Sequence, residues 1–391
     1  MTQTAEDRKW MRRAIALARR GEGRTRPNPP VGAVVVRGDS KLGVGFHRRA
    51  GEAHAEVVAL DACRGAARGA ALYVTLEPCC THGRTPPCTD RILREGIARV
   101  VVGCRDENGC HCGRGLDVLA KRGVDVVYGV CEEEARDLTR PFFKHVTTGL
   151  PYVTVKLAMT LDGRIADREH RAKWITGAAA RAEVQRLRRR ADVMLVGAGT
   201  VCADDPSLLC RLRGAGGVDG LVRDTKESGA SPAGVLPAPP AGLLRVVVDA
   251  SGRTPAHAQV YTDAAAARTV VATTQVGAAR KAAAWALHGA QVWTLGAADD
   301  GRVPLELLLK RLGAAGYLHV LCEGGGHLAG ALQDAGLVDE YELFYAPALL
   351  GDSRAVGALE GRGTLLADVR RWRCVDVKRF GEDVRIRVRK A

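Results

Sequence analysis

His54-Ala55-Glu56 opens a helical pattern, and Glu77-Pro78-Cys79 follows the apolar run Leu72 to Leu76, with Cys88 nine positions beyond Cys79. One imidazole and two thiolates make three metal ligands. A catalytic zinc takes three protein ligands because its fourth position must stay open, whereas four would close a structural site. Binding to such an ion lowers the pKa of water to about 7, so hydroxide becomes available near neutral pH. Glu56 stands two residues after the histidine, and at 3.6 residues per turn it points about 200° away from it. It need not bind the same metal, yet the helix start can hold both residues at the site, where Glu56 is free to carry protons.

An isolated His-x-Glu pair is common on ordinary surfaces. Followed about 20 residues later by Glu-Pro-Cys, it is the arrangement of zinc-dependent base deaminases, here with the usual Cys-x-x-Cys opened to a wider spacing. Cys80 directly follows Cys79 and is the competing donor, but the position after proline favours Cys79. Cys110-His111-Cys112 offers half of a second metal site, with no second pair at a familiar spacing. Cys63, Cys104, Cys131, Cys202, Cys210, Cys322 and Cys374 read as small apolar packing residues.

The second half of the chain carries a different signal. Gly197-Ala198-Gly199-Thr200-Val201-Cys202 lacks the third glycine of a dinucleotide fingerprint. Glu323-Gly324-Gly325-Gly326 follows the apolar run Leu318 to Cys322 and leads into the helical stretch His327 to Leu332. Glycines there let a phosphate approach the backbone closely, and a helix N-terminus favours an anion. Taken alone, the same string is also a tight strand-to-helix turn.

Both halves alternate strand-like and helix-like runs, which is α/β organisation. In the first half these runs are Val31 to Val36, Ala53 to Cys63, Leu72 to Leu76, Thr89 to Arg94, Arg99 to Gly103, Leu116 to Lys121 and Val124 to Tyr128. The charged helical stretch Glu132 to Lys144 leads to Thr147-Thr148-Gly149-Leu150-Pro151, whose turn-forming residues place a domain boundary near residue 148. Strand candidates then recur at Tyr152 to Leu157, Val193 to Val196, Leu244 to Asp249, Thr269 to Ala272, Gln291 to Thr294, Leu318 to Cys322 and Tyr341 to Tyr345. Between Arg213 and Gly242 the composition turns to Gly, Pro, Ala and Ser, a long surface loop outside the chemistry.

With 391 residues, the chain is too long for one ordinary core. Its 46% apolar and 26% charged residues are ordinary for a packed globular protein. The net charge of +14 is spread along the chain apart from runs such as Arg186 to Arg190, which read as solvated helix faces. It suits an anionic small substrate as well as a nucleic acid, and 4% aromatic residues leave few platforms for stacking bases. Met1 to Arg20 reads as a charged amphipathic helix rather than a secretion signal, and no apolar run is long enough to span a membrane. The cytoplasm is the expected setting, with twelve cysteines held as thiols or metal ligands rather than as disulfides.

Arg26-Pro27-Asn28-Pro29-Pro30-Val31-Gly32, His54-Ala55-Glu56 and Glu77-Pro78-Cys79, with Gly83-Arg84-Thr85-Pro86-Pro87-Cys88, closely resemble the bifunctional riboflavin biosynthesis deaminase/reductase family. The resemblance continues through Lys156 to Gly163, Lys173-Trp174-Ile175-Thr176-Gly177, Ala203-Asp204-Asp205-Pro206 and Glu323-Gly324-Gly325, and so spans nearly the whole chain. It implies a cytidine-deaminase-like zinc domain over residues 1–147, followed by a dihydrofolate-reductase-like α/β domain over 148–391. The first would hydrolyse the 2-amino group of a diamino-ribosylamino-pyrimidinone 5′-phosphate. The second would use NADPH to reduce the ribose of the product to a ribityl chain.

Carried over by motif, His54, Cys79 and Cys88 become the ligands of one zinc per chain and Glu56 the proton shuttle, with Asn28 and His47 near the substrate. Asn28 is also a natural turn residue between prolines. The resemblance lines the NADPH site with Ala158, Trp174, Thr200, Asp204, Ala250 and Gly325, Gly326, His327, Leu328, Ala329, Gly330 and Ala331. It brings Ala172, Arg188, Leu208, Arg211 and Glu323 to the substrate, the arginines suiting its phosphate through two-pronged bonds. Two departures stand out: Cys80-Thr81 replaces the usual Ser-His, with His82 the nearest imidazole, and Ala172 replaces a common serine.

The implied partner is a small phosphorylated pyrimidine, with no nucleic acid and no membrane, and a homo-oligomer is left open. Two other readings share these residues: a deaminase of nucleic-acid bases, and a zinc-stabilised binding protein with a fourth protein ligand.

Overall fold

The computed structural model describes residues 4–82, 86–109, 112–211 and 242–390. Gly83-Arg84-Thr85, the pair Cys110-His111 and the expected loop up to residue 241 lie outside the described residues. The chain forms two compact units, one holding Met1–Leu150 and Gly313–Leu318, the other holding the remaining described residues from Pro151 onward.

The first unit runs α1 (Ala5–Ala18), β1 (Gly32–Arg37), β2 (Ser40–Phe46), α2 (Ala55–Asp61), β3 (Ala71–Leu76), α3 (Cys88–Arg94), β4 (Arg99–Cys104), α4 (Arg114–Lys121), β5 (Asp125–Tyr128) and α5 (Glu132–Thr148). Its sheet has the order β2-β1-β3-β4-β5, with β1 antiparallel to both neighbours and β3, β4 and β5 parallel. Successive strand residues face opposite ways. Val34, Val36, Tyr73 and Val101 therefore pack with Trp10, Met11, Phe142 and Phe143 of α1 and α5, while Ala33, Val35, Leu72, Val74, Val100 and Val102 pack with Ala59, Leu60, Ile92 and Leu119 of α2, α3 and α4. The alternation makes a layer of helices on each face.

The strand β2 is absent from the sequence expectations. Its two glycines weaken a strand signal, yet they are what the packing demands. A Cβ on Gly43 would meet Ala59 O at 2.2 Å, and one on Gly45 would meet Ala55 O at 2.3 Å. Only bare backbone lets α2 lie this close to the sheet.

The second unit begins β6 (Tyr152–Thr160), β7 (Arg164–Ala166), α6 (Ala178–Arg190), β8 (Val193–Gly197), α7 (Ala198–Asp204), β9 (Leu244–Val248), α8 (Gln259–Thr262), β10 (Thr269–Thr273) and α9 (Gln275–Ala286). It continues β11 (Gln291–Thr294), α10 (Leu305–Ala314), β12 (His319–Cys322), α11 (Gly326–Asp334), β13 (Glu340–Ala346), β14 (Val356–Gly357), β15 (Trp372–Phe380) and β16 (Asp383–Lys390). The nine-stranded sheet has the order β11-β10-β9-β8-β12-β6-β13-β16-β15. It is parallel from β11 to β13, and β16 and β15 add an antiparallel edge. Inserting β12 between β6 and β8 makes a topological switch, and open α/β sheets bind ligands at the carboxyl ends of strands there.

Three of the seven cysteines expected to pack inside do not. Cys202, Cys210 and Cys374 are exposed, on α7, in the segment after it and on the edge strand β15, while Cys63, Cys104 and Cys322 are buried and Cys131 is partly so. Cys202 lies off the face of α7 that buries Ala198 and Val201, and an edge strand covers only one of its faces. Among the described residues no helix is long and apolar enough to cross a membrane.

Candidate functional site

In the first unit, His54 is the residue capping α2, with an extended backbone at φ −68° and ψ 162°. Cys79 follows the end of β3, and Cys88 is the first residue of α3. His54 Nδ1 lies 3.6 Å from Cys79 Sγ and 3.3 Å from Cys88 Sγ, and one ligand atom from each of the three residues lies within 4.8 Å of the others. No other group among the described residues has the make-up and spacing of a metal site, and Cys80 is outside this one.

The three side chains also interact with one another. The Cys88 thiol donates to Cys79 and, with His54, holds the Cys79 thiol down to about 4 against burial, while Cys88 itself is pushed up. Cys79 in turn raises His54 to about 9. The backbone N–H of Cys88 also donates to Cys79 Sγ at 3.3 Å. Two soft sulfurs and one imidazole within 4.8 Å of one another are the donor types zinc prefers in a tetrahedral set. Three residues fit its open, catalytic form.

Glu56 lies in the first turn of α2 and is 4% exposed. Burial holds its carboxyl above the usual range, and it shares a hydrogen bond with the Cys88 thiol. His54 caps α2 and Glu56 lies in its first turn, so the start of the helix carries both, as the sequence allows. Both side chains therefore reach the same point.

His47 and Asn28 stand beside this cluster. The rings of His47 and His54 meet edge to face, with centroids 5.4 Å apart. His47 Nδ1 lies 3.1 Å from Ala53 O, which can only accept, so that nitrogen carries the proton and Nε2 accepts from the Asn28 amide at 3.1 Å. Burial lowers the pKa of His47 and favours this neutral form. Glu77 was legible in the sequence only as part of Glu-Pro-Cys. Its carboxylate takes N–H bonds from Asp106 at 3.2 Å, Gly113 at 2.9 Å and Gly115 at 2.9 Å, so it ties the segment after β4 to the residue two places before Cys79. His82 is exposed.

In the second unit a cleft of about 1720 Å³ opens at the carboxyl ends of β6, β8, β9 and β12. Ala158, Trp174, Thr200, Asp204, Ala250, Gly325, Gly326, His327, Leu328 and Ala331 line it, as do Ala172, Arg188, Leu208, Arg211 and Glu323. Ala329 and Gly330 do not. They lie on the buried side of α11, where a Cβ on Gly330 would meet Gly361 N at 2.3 Å.

Gly325 caps α11, and its N–H donates to Thr200 Oγ1 at 2.9 Å. The amides of the following turn have no partner within the helix and supply the positive pole for an anion. Trp174 is 70% exposed, with the Arg181 guanidinium 4.6 Å from its ring centre. Burial pushes the pKa of Asp204 up, with Lys173 and Lys156 opposing it.

The two arginines expected at a phosphate differ sharply. Arg188 donates from Nε and Nη2 to Glu323 at 2.7 and 2.9 Å, and from Nη1 to Leu209 O at 3.1 Å, so its fork is occupied. Arg211 is exposed and uses Nη2 on Ser207 Oγ at 2.8 Å. Sequence reasoning missed Lys156, which lines the cleft with its amine 3.7 Å from Glu323.

Comparison with known proteins agrees with both units. Residues 4–104 match the cytidine and deoxycytidylate deaminase zinc-binding region, and residues 151–386 match the RibD C-terminal domain. Riboflavin biosynthesis protein RibD of Bacillus amyloliquefaciens is 38% identical over 96% of this chain and 94% of its own. That of Escherichia coli is 39% identical over 97% and 98%. The solved deaminase/reductase of Thermotoga maritima superposes with a TM-score of 0.80 at 33% identity, covering 98% of this chain and 99% of its own. RibD of Acinetobacter baumannii gives 0.79 at 35% identity, covering 99% of each. The chain belongs to the RibD family, the bifunctional deaminase and reductase of riboflavin biosynthesis, with zinc serving the first activity and NADPH the second.

Proposed function

We propose that the first unit deaminates 2,5-diamino-6-(5-phosphoribosylamino)pyrimidin-4(3H)-one and that the second reduces the ribosyl chain of the product, giving 5-amino-6-(5-phosphoribitylamino)uracil. The observation that carries this reading is the meeting of His54, Cys79 and Cys88 within 4.8 Å, with Glu56 buried beside them. His54, Cys79 and Cys88 hold the zinc, which when bound makes water acidic enough to attack near neutral pH. Glu56 moves the proton of that water to the ring nitrogen and then to the departing ammonia. Asn28 and the neutral His47 orient the pyrimidine.

In the second unit, Gly325 and the first turn of α11 take the dinucleotide phosphates, and Ala158, Trp174, Thr200, Asp204 and Ala250 take the rest of NADPH, which supplies the hydride. The imine-like C1′ of the opened sugar is already electrophilic, so the task of the residues is placement. Arg211 contacts the substrate phosphate, while Arg188, Glu323 and Lys156 form the charged floor, with Ala172 and Leu208 at its sides. Incubation with the diamino compound, with and without NADPH, tests both steps by product mass. Deamination of an oligonucleotide instead would overturn the substrate assignment.

We place the functional division at residues 1–147 and 148–391. Support comes from the end of α5 at Thr148, followed by Gly149 at φ +72°. The fragment 148–391, expressed alone, should oxidise NADPH with the deaminated intermediate. The reaction belongs in the cytoplasm, where Cys79 and Cys88 stay reduced. We assign a second copy of the chain as a partner of this one, with exposed apolar residues such as Leu366 available for burial. Light scattering that gives a monomer would remove that assignment.

A further inference from the structure

Arg245 on β9 has no exposed surface and does not line the cleft. Its Nη1 donates to Asp263 Oδ2 at 2.6 Å and to Ser207 O at 2.9 Å, and its Nη2 donates to Asp263 Oδ1 at 2.8 Å and to Val260 O at 2.9 Å. A buried guanidinium needs this many acceptors and a facing carboxylate to offset its lost hydration. One of those acceptors, the carbonyl of Ser207, belongs to the segment that carries Arg211.

That segment is held against its own backbone preference. Asp205 has φ +42° and Leu208 φ +57°, both in the left-handed region that side chains other than glycine disfavour. Such a conformation persists only where the surroundings over-determine it. Here Asp205 Oδ1 accepts from Gln259 N at 2.6 Å, Leu209 O accepts from Arg188, and the N–H of Arg211 donates to Gln185 Oε1 at 2.7 Å. Leu208 is packed in the core. The Ser207 hydroxyl then holds the Arg211 guanidinium. A continuous chain of bonds thus runs from Asp263 through Arg245 and Ser207 to Arg211.

We propose that Arg245, paired with Asp263, is a positioning residue for the reductase substrate, locking the strained segment Asp205–Arg211 so that Arg211 is presented to the cleft before the phosphate arrives. The inference rests on the reading of Arg211 as a phosphate contact. A phosphate bound away from the reacting carbon contributes equally to ground and transition states, so its loss raises KM and leaves kcat nearly intact.

Arg245→Lys keeps the charge but loses the two-pronged hold on Asp263 and the reach to Ser207 O. In the full chain it should raise KM for the deaminated intermediate about tenfold while kcat changes less than about threefold. The dissociation constant for NADPH, read by fluorescence of the bound dinucleotide, and the rate of ammonia release should stay as in the parent. Should that variant fail to fold, Ser207→Ala removes only the tie to Arg211 and should show the same KM-selective change. Arg211→Ala should raise KM, and adding Arg245→Lys to it should add nothing, because both act through one contact. A raised KM in Arg211→Ala beside a normal KM in Arg245→Lys and Ser207→Ala would sink the lock alone. A normal KM in Arg211→Ala would sink the reading of Arg211 and the lock with it. Parallel loss of NADPH affinity, or additivity with Arg211→Ala, would reduce Arg245 to a general packing role.

Discussion

The N–H of Gly325 is bonded to Thr200 Oγ1 at 2.9 Å, and a Cβ built on Gly325 would meet nothing closer than that same oxygen, at 3.5 Å. The glycine therefore has room on the protein side. What a larger residue would occupy is the cleft itself.

Gly325→Val should leave the fold and zinc content unchanged and weaken NADPH binding by about tenfold or more, since a branched side chain blocks close approach of a phosphate to the helix end. Gly324→Ala should behave oppositely, because its Cβ would lie 2.8 Å from Val196 Cα, and overpacking of this kind costs about 1–3 kcal/mol of stability. Dinucleotide titration and thermal unfolding of the two variants separate the cases. Normal NADPH affinity in Gly325→Val would leave the loop as only a turn.

Glu56→Gln should retain zinc and lose ammonia release by about 10²–10⁴-fold or more, as the amide keeps the shape but cannot take up and release a proton. Reduction of supplied deaminated intermediate should continue at the parental rate. Near-normal deamination would take Glu56 out of its role.

Metal analysis should give one zinc per chain, and Cys79→Ala with Cys88→Ala should abolish it. Chelation should stop ammonia release while NADPH oxidation with the deaminated intermediate persists, because no ligand of the cluster lies in the second unit. Full retention of zinc in the double variant would refute the ligand set.

Burial alone would raise the pKa of Glu323, but the charges of Arg188 and Lys156 outweigh it and hold the carboxyl below its ordinary 4.5. A group whose folded pKa is depressed contributes stability that is complete above the unfolded pKa and disappears as pH falls through the folded one. The difference in urea midpoint between the parent and Glu323→Gln should therefore be constant from about pH 5.5 to 7 and shrink below about 4.5. A difference that grew on acidification would contradict the pairing.

The grouping of His54, Cys79 and Cys88 was legible because a metal site constrains residue type and the three are marked by local neighbours, His-Ala-Glu and Glu-Pro-Cys. The long parallel strands were legible from short apolar runs bounded by turns. Strands β15 and β16 were not, since Arg385 and Arg389 alternate with valine and isoleucine as solvent-facing residues would. Both arginines in fact face inward, onto Glu342 and Glu340 of β13. The occupied fork of Arg188 was equally hidden, because its partner Glu323 lies 135 positions away and nothing local distinguishes a spent guanidinium from a free one. The exposed Cys202, Cys210 and Cys374 show the same limit, as thiol character alone does not say which face of an element a residue occupies.

The glycines of β2 give the metal cluster a remote adjustment point. A Cβ on Gly45 would lie 2.3 Å from the carbonyl oxygen of Ala55, the residue between His54 and the buried carboxyl of Glu56. A single methyl group added on that strand would push the start of α2 outward and carry His54 and Glu56 together, changing their distance from the two sulfurs without altering any of the four residues. The spacing of the reactive groups thus depends on a strand that carries none of them.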